Sequence, residues 1–158
     1  LGEHEDEGYW FDDVLTDSVE QLLKSGHFPE AQDWNIKALI AKGKAPRGRD
    51  AAATCQLLSQ KIRVAVGGEV DFIITVYEDD WNRARTALER QQILIHELHH
   101  VDTNRKTGNP RIRDHDDDFC TRQAHDKYSQ ELAKLIPLPE MLAKSTVQKT
   151  MASFSGQG

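Results

Sequence analysis

Cysteine is scarce in this chain: only Cys55 and Cys120 occur, far apart and outside any CxxC spacing. That excludes a disulfide framework and fits a reducing cytoplasm. Positive charge is also short, with Lys plus Arg at 20 against 26 Asp plus Glu and a formal charge of −6. A phosphate-backbone binder draws its affinity from counterion release by many cations, so nucleic acid is not an expected partner. No apolar run approaches the roughly 18–20 residues of a membrane span, and LGEHEDEGYW at the start is acidic where a secretory signal needs basic residues. No membrane partner is expected. The G-x-S-x-G, P-loop and G-x-G-x-x-G patterns are all missing, as are internal repeats and low-complexity blocks. What is present is a chain of 158 residues, 38% hydrophobic, enough for one core and short for two.

The pattern along the chain divides it into a lead-in, one domain and a tail. Residues 1–13 are acidic and end in Tyr9, Trp10 and Phe11, which reads as a mobile segment closing on an aromatic anchor. The domain is expected over 14–150 and a flexible tail over 151–158. Asp17 and Ser18 resemble a cap before VEQLLKSG, and PEAQDWNIKALIAKG has Pro29 near a helix start and Gly43 past its end, so two short helices are expected. GKAPRGRD reads as a loop, and KIRVAV favours strand. VDFIITVYE, residues 70–78, has the β-branched and aromatic density of a strand. RARTALERQQILIHELHHVDTNR then runs without Gly or Pro and sets Leu88, Gln91, Leu94, Ile95, Leu98 and Val101 at helical spacing. A second long helix, capped by Asp114, is expected to run to about Leu135.

The central helix carries His96-Glu97-Leu98-His99-His100, an H-E-x-x-H pattern. Four residues advance a helix by about 400°, so His96 and His100 project from one face, where both imidazoles can reach one ion. Glu97 lies about 100° round from His96, off the metal yet able to reach a water beside it, as a general base requires. Zinc is the default metal for this pattern. A shuffled chain of this composition would contain the pattern with probability about 0.02. His99 lies near the same face and reads as a supporting or packing residue.

A catalytic zinc site needs a third protein ligand and an open fourth position. Candidates cluster in RDHDDDFC, past the Gly108-Asn109-Pro110 turn, and His115 is preferred over Asp114, Asp116, Asp118 and His125. The nearby aspartates can accept the second imidazole N–H of a ligand. Two rival motifs fail: Thr103 and Lys106 stand where a metzincin has Gly and His, and Phe119 and His125 where an EF-hand has Gly and Glu. VDFIITVYE is a candidate edge strand on which a peptide could lie extended. No spacing rule selects an oxyanion donor among Tyr77, Arg111, Arg113 and Tyr128.

ILIHELHHVD followed by RIRDHDDDF resembles the putative phage metallopeptidase family over about residues 45–135. The chain is more distantly similar to SprT-like peptidases, which share the order of a strand and then an HExxH helix. The resemblance implies His96, His100 and His115 as metal ligands and Glu97 as catalytic base. The expectation is then an α+β, zincin-like fold, with a small, mainly antiparallel sheet beside the HExxH helix and further helices at both ends. Its function would be that of a zinc metallopeptidase with one Zn²⁺ per chain, acting on a peptide or protein substrate in the cytoplasm of a bacterial host. The alternative is a non-catalytic zinc-binding phage protein that binds or inhibits a host factor.

Overall fold

The computed structural model describes residues 8–45, 52–84, 86–114 and 122–137. Among these the fold is α+β, with a mixed four-stranded sheet, a two-stranded ribbon and five helices. The sheet strands are β1 (Tyr9–Phe11), β2 (Ile36–Ala41), β3 (Ala53–Leu57) and β4 (Phe72–Tyr77), in the order β1-β2-β4-β3. β2 and β4 run parallel, and the β1–β2 and β3–β4 pairs are antiparallel. The ribbon pairs β5 (Val101–Thr103) with β6 (Pro110–Ile112). The helices are α1 (Asp13–Lys24), α2 (Gln60–Ala65), α3 (Glu78–Arg83), α4 (Ala87–Leu98) and α5 (Arg122–Leu135).

One apolar cluster joins these elements. Ala38, Ile40, Phe72, Ile74 and Val76 from the central strands meet Leu15, Val19 and Leu22 of α1 and Leu94, Ile95 and Leu98 of α4. Burying each of the larger side chains contributes about 1.5–3 kcal/mol, enough to dock α4 against the sheet without help from the polar face that carries its histidines. Thr86 starts α4, its hydroxyl accepting from the Glu89 N–H at 3.1 Å.

Several segments depart from the sequence expectations. Residues 9–11 form an edge strand, burying Trp10 and exposing Tyr9 and Phe11. Helix α1 starts earlier than expected because Asp12 is the cap, accepting from the Leu15 N–H at 2.9 Å. The stretch IKALIA is β2 and not a helix, Pro29–Ala31 being a single 3₁₀ turn before it. Its Ala38 and Ile40 alternate into the core between two neighbouring strands, and that tertiary pairing overrides the helical preference of Lys, Ala and Leu. KIRVAV is mostly helix and not strand: the Ser59 hydroxyl accepts from the Ile62 N–H, and Gly67 and Gly68, both at positive φ, end the turn. The strand in VDFIITVYE is β4, paired on both sides, so the edge beside α4 is β3. The central helix stops at Leu98, and Val101–Thr103 turns into β5. Helix α5 ends at Leu135 as expected; residues 115–121 and the expected C-terminal helix lie outside the described residues. No helix among the described residues is long and apolar enough to cross a membrane.

Candidate metal centre

His96 stands on the last turn of α4, and His100 follows just past its end. His99 caps the helix with φ −69° and ψ −15°, still right-handed helical geometry, and the His100 N–H donates to the Glu97 carbonyl at 3.0 Å. This tightened turn keeps His100 close to His96, with ring centroids 5.2 Å apart.

Among the described residues, the imidazole that joins this pair is His125, from α5. Its ring stacks on His96 at 4.0 Å between centroids, with 11° between the planes, and stands 5.2 Å from His100. One ligating atom from each of His96, His100 and His125 can be chosen so that all lie within 4.8 Å of one another. The expected third ligand, His115, lies outside the described residues. His125 carried a legible signal: with Ser129, Leu132, Ala133 and Ile136 it forms the buried stripe of α5. A histidine on the buried stripe of the helix that packs against an HExxH helix faces the pair by construction.

The tautomers of the pair follow from their partners. His100 Nδ1 lies 2.6 Å from the Arg113 carbonyl oxygen, which can only accept, so Nδ1 carries the proton and Nε2 keeps its lone pair. His96 Nδ1 lies 2.8 Å from Asp126 Oδ1, which orients that ring in the same way. Sequence reasoning looked for a supporting carboxylate among residues 114–118 only, for His115, which with residues 116–118 lies outside the described residues; for His96 the carboxylate is Asp126, from α5 and next to His125. Two imidazoles so oriented, with the His125 ring beside them, make a donor set of the kind that zinc and similar divalent metals take, so the residues fit a metal.

Glu97 is buried, at 6% exposure, and its Oε2 lies 4.0 Å from His96 Nε2. Its carboxylate therefore borders the metal-facing side of the pair. A cleft of about 110 Å³ opens here between the start of β3 and α4, lined by Ala53, Ile93, His96, Glu97 and Asp126. Cys55, on the same edge strand, has its thiol pushed well up by burial and then by the Glu97 charge, which favours the neutral thiol.

His99 points the other way. It is buried, 4.9 Å from the Phe28 ring, 5.0 Å from Tyr128 and 5.6 Å from His125. Burial pushes its pKa down to about 4, with the Arg113 and His100 charges adding to the effect. It is a neutral packing residue that backs the cluster.

Compared with known proteins, the chain matches the family model described as "Putative phage metallopeptidase" over residues 9–154, extending past the motif region at both ends. No curated protein and no solved structure matches it.

Proposed function

The chain belongs to the putative phage metallopeptidase family, and on that premise we propose that it is a zinc-dependent peptide hydrolase with His96 and His100 as ligands and Glu97 as general base, the clustering of His125 with the pair favouring it as third ligand over the His115 that the resemblance implies. The observation that carries this reading is the position of Glu97: a buried carboxylate at the border of a three-imidazole cluster, opening on a cleft beside an edge strand. Bound zinc supplies Lewis acidity, polarising a peptide carbonyl and lowering the pKa of a water.

The chain's own groups do the rest. Asp126 and the Arg113 carbonyl engage Nδ1 of His96 and of His100, leaving Nε2 of each as the nitrogen that would hold a metal. Glu97 accepts a proton from the attacking water and delivers it to the leaving amine nitrogen, so one carboxylate serves both halves of the reaction. β3 offers its unpaired side, among the described strands, to an extended substrate, which main-chain hydrogen bonds would hold across the cleft. This assigns to β3 the role expected of VDFIITVYE.

The test is cleavage of a peptide library by zinc-loaded protein, beside Glu97→Gln, His125→Ala and His115→Ala. Glu97→Gln should keep the metal and lose about 10²–10⁴-fold in rate. His125→Ala should lose the metal, and His115→Ala should keep it. Undiminished cleavage by Glu97→Gln sinks the mechanism. Full metal binding without cleavage of any library member would favour a non-catalytic binder.

A further inference from the structure

The cleft beside Glu97 exists because β3 carries little bulk where it passes α4. Ala53, Cys55 and Leu57 stand opposite Val76, Ile74 and Phe72 of β4, and paired residues of neighbouring strands share a face, so this row points into the core that α4 covers. Its side chains shrink from Leu57 to Ala53 toward the start of the strand, and Ala52 precedes it. The outcome is about 110 Å³ of open space between these two alanines and the surface of α4 that carries His96 and Glu97.

The walls of this space are fixed by packing and by the backbone. The Ala52 carbonyl accepts from the Tyr77 N–H at 2.9 Å, and Ala53, 4% exposed, is held in the β3–β4 ladder. On the helix side, Gln92 and Ile93 come about one turn before His96 and Glu97 and so continue the same face of α4. Ile93 lines the cleft while packing against the core, and swinging it away would open a void beneath it.

A chain laid along the open side of β3 projects every second side chain toward α4. The one level with Ala53 would enter this space. We propose that the cleft is a size filter, which admits a glycine, alanine or serine beside Glu97 and refuses a branched or aromatic residue there. The inference rests on the peptide-hydrolase reading for the kind of substrate and names the side chain it takes. Pockets that enclose drug-sized ligands have about 300–1,000 Å³. A space of about 110 Å³ falls short of what a phenylalanine ring or an arginine needs. One added methylene in a close-fitting apolar site already changes selectivity about 10–200-fold.

The test uses zinc-loaded Glu97→Gln protein and labelled peptides of large residues with one variable position, occupied by glycine, alanine, leucine or phenylalanine. The only small side chain then sets the register, and binding is read by fluorescence anisotropy. The alanine peptide should bind about tenfold more tightly than the leucine peptide. Ile93→Ala, which removes the helix wall, should narrow that ratio at unchanged zinc content. Ala53→Val, which fills the cleft, should weaken the alanine peptide more than the glycine peptide. Equal binding of the alanine and leucine peptides overturns the proposal, as does a ratio that Ile93→Ala leaves unchanged. Ile93→Ala carries the test if Ala53→Val fails to fold, since removing bulk at a lining position demands no new space. Because binding is read without turnover, the two readings fail separately. Alanine-selective binding with no cleavage by the unsubstituted protein would keep the filter and remove the hydrolase. Cleavage of the alanine and leucine peptides with equal kcat/KM would do the reverse.

Discussion

At the scale of single residues, the site is made by imidazoles in three different roles. His96 and His100 each have one ring nitrogen fixed by an oxygen acceptor, His125 is stacked between elements, and His99 is buried and held neutral. The last has a consequence for acid stability. Its folded pKa of about 4 lies below the ordinary histidine value of 6.5, so the unfolded chain binds the proton first as pH falls. Its stabilisation is therefore full above the unfolded pKa and is lost progressively between pH 6.5 and about 4. In chelator-treated protein, where metal release is not a variable, denaturant unfolding at pH 7 and pH 5 should differ by about 2 kcal/mol more in the unsubstituted protein than in His99→Phe. Equal pH dependence in the two would remove His99 as the cause. The HExxH residues were legible in the sequence because their spacing is itself the chemistry. Asp126 was not, since nothing in a linear pattern says which carboxylate of α5 meets an imidazole of α4.

At the scale of elements, the proposed site depends on how α5 is fastened to α4, because His96 and His100 stand on and just past the last turn of α4 and His125 on α5. Gln91 is the fastener. It is 1% exposed, and its Nε2 donates to the Ile136 carbonyl at 3.0 Å and the Ala133 carbonyl at 3.4 Å, satisfying the open end of α5. Gln91→Leu keeps the apolar bulk and strands those carbonyls. It should cost about 1–3 kcal/mol in denaturant unfolding and weaken zinc binding, with far-ultraviolet circular dichroism unchanged. Zinc affinity equal to the unsubstituted protein's would mean that α5 is held in register by its apolar stripe alone. Element boundaries were the least legible part of the fold. IKALIA reads as helix from local preference, yet its pairing with β1 and β4 makes it strand, and no local window contains those partners. β4 was legible because a strand buried on two flanks needs a β-branched run, and FIITVY is one.

At the scale of the whole molecule, a metal held as proposed would join the end of α4 to α5 and close the loop from His100 to His125, favouring the folded state, which brings those imidazoles together. Zinc should therefore raise the melting temperature in proportion to the logarithm of its free concentration, and His125→Ala should abolish the increase. A zinc-dependent increase retained in His125→Ala and lost in His115→Ala would return the third position to the residue that the sequence favoured. The order of a strand before the HExxH helix was legible from hydrophobic period, whereas the α+β class came with the family resemblance. The mixed sheet was not, because the parallel β2–β4 pair joins segments separated by β3 and α2.

That order along the chain also sets an order in time. All four sheet strands lie within residues 9–77, whereas the imidazoles at 96, 100 and 125 come after them. On a ribosome every strand of the four-stranded sheet is therefore synthesised before the first imidazole of the cluster is translated. The apolar face of that sheet waits for Leu94, Ile95 and Leu98 of α4, so the same helix that brings His96 also completes the core beneath it.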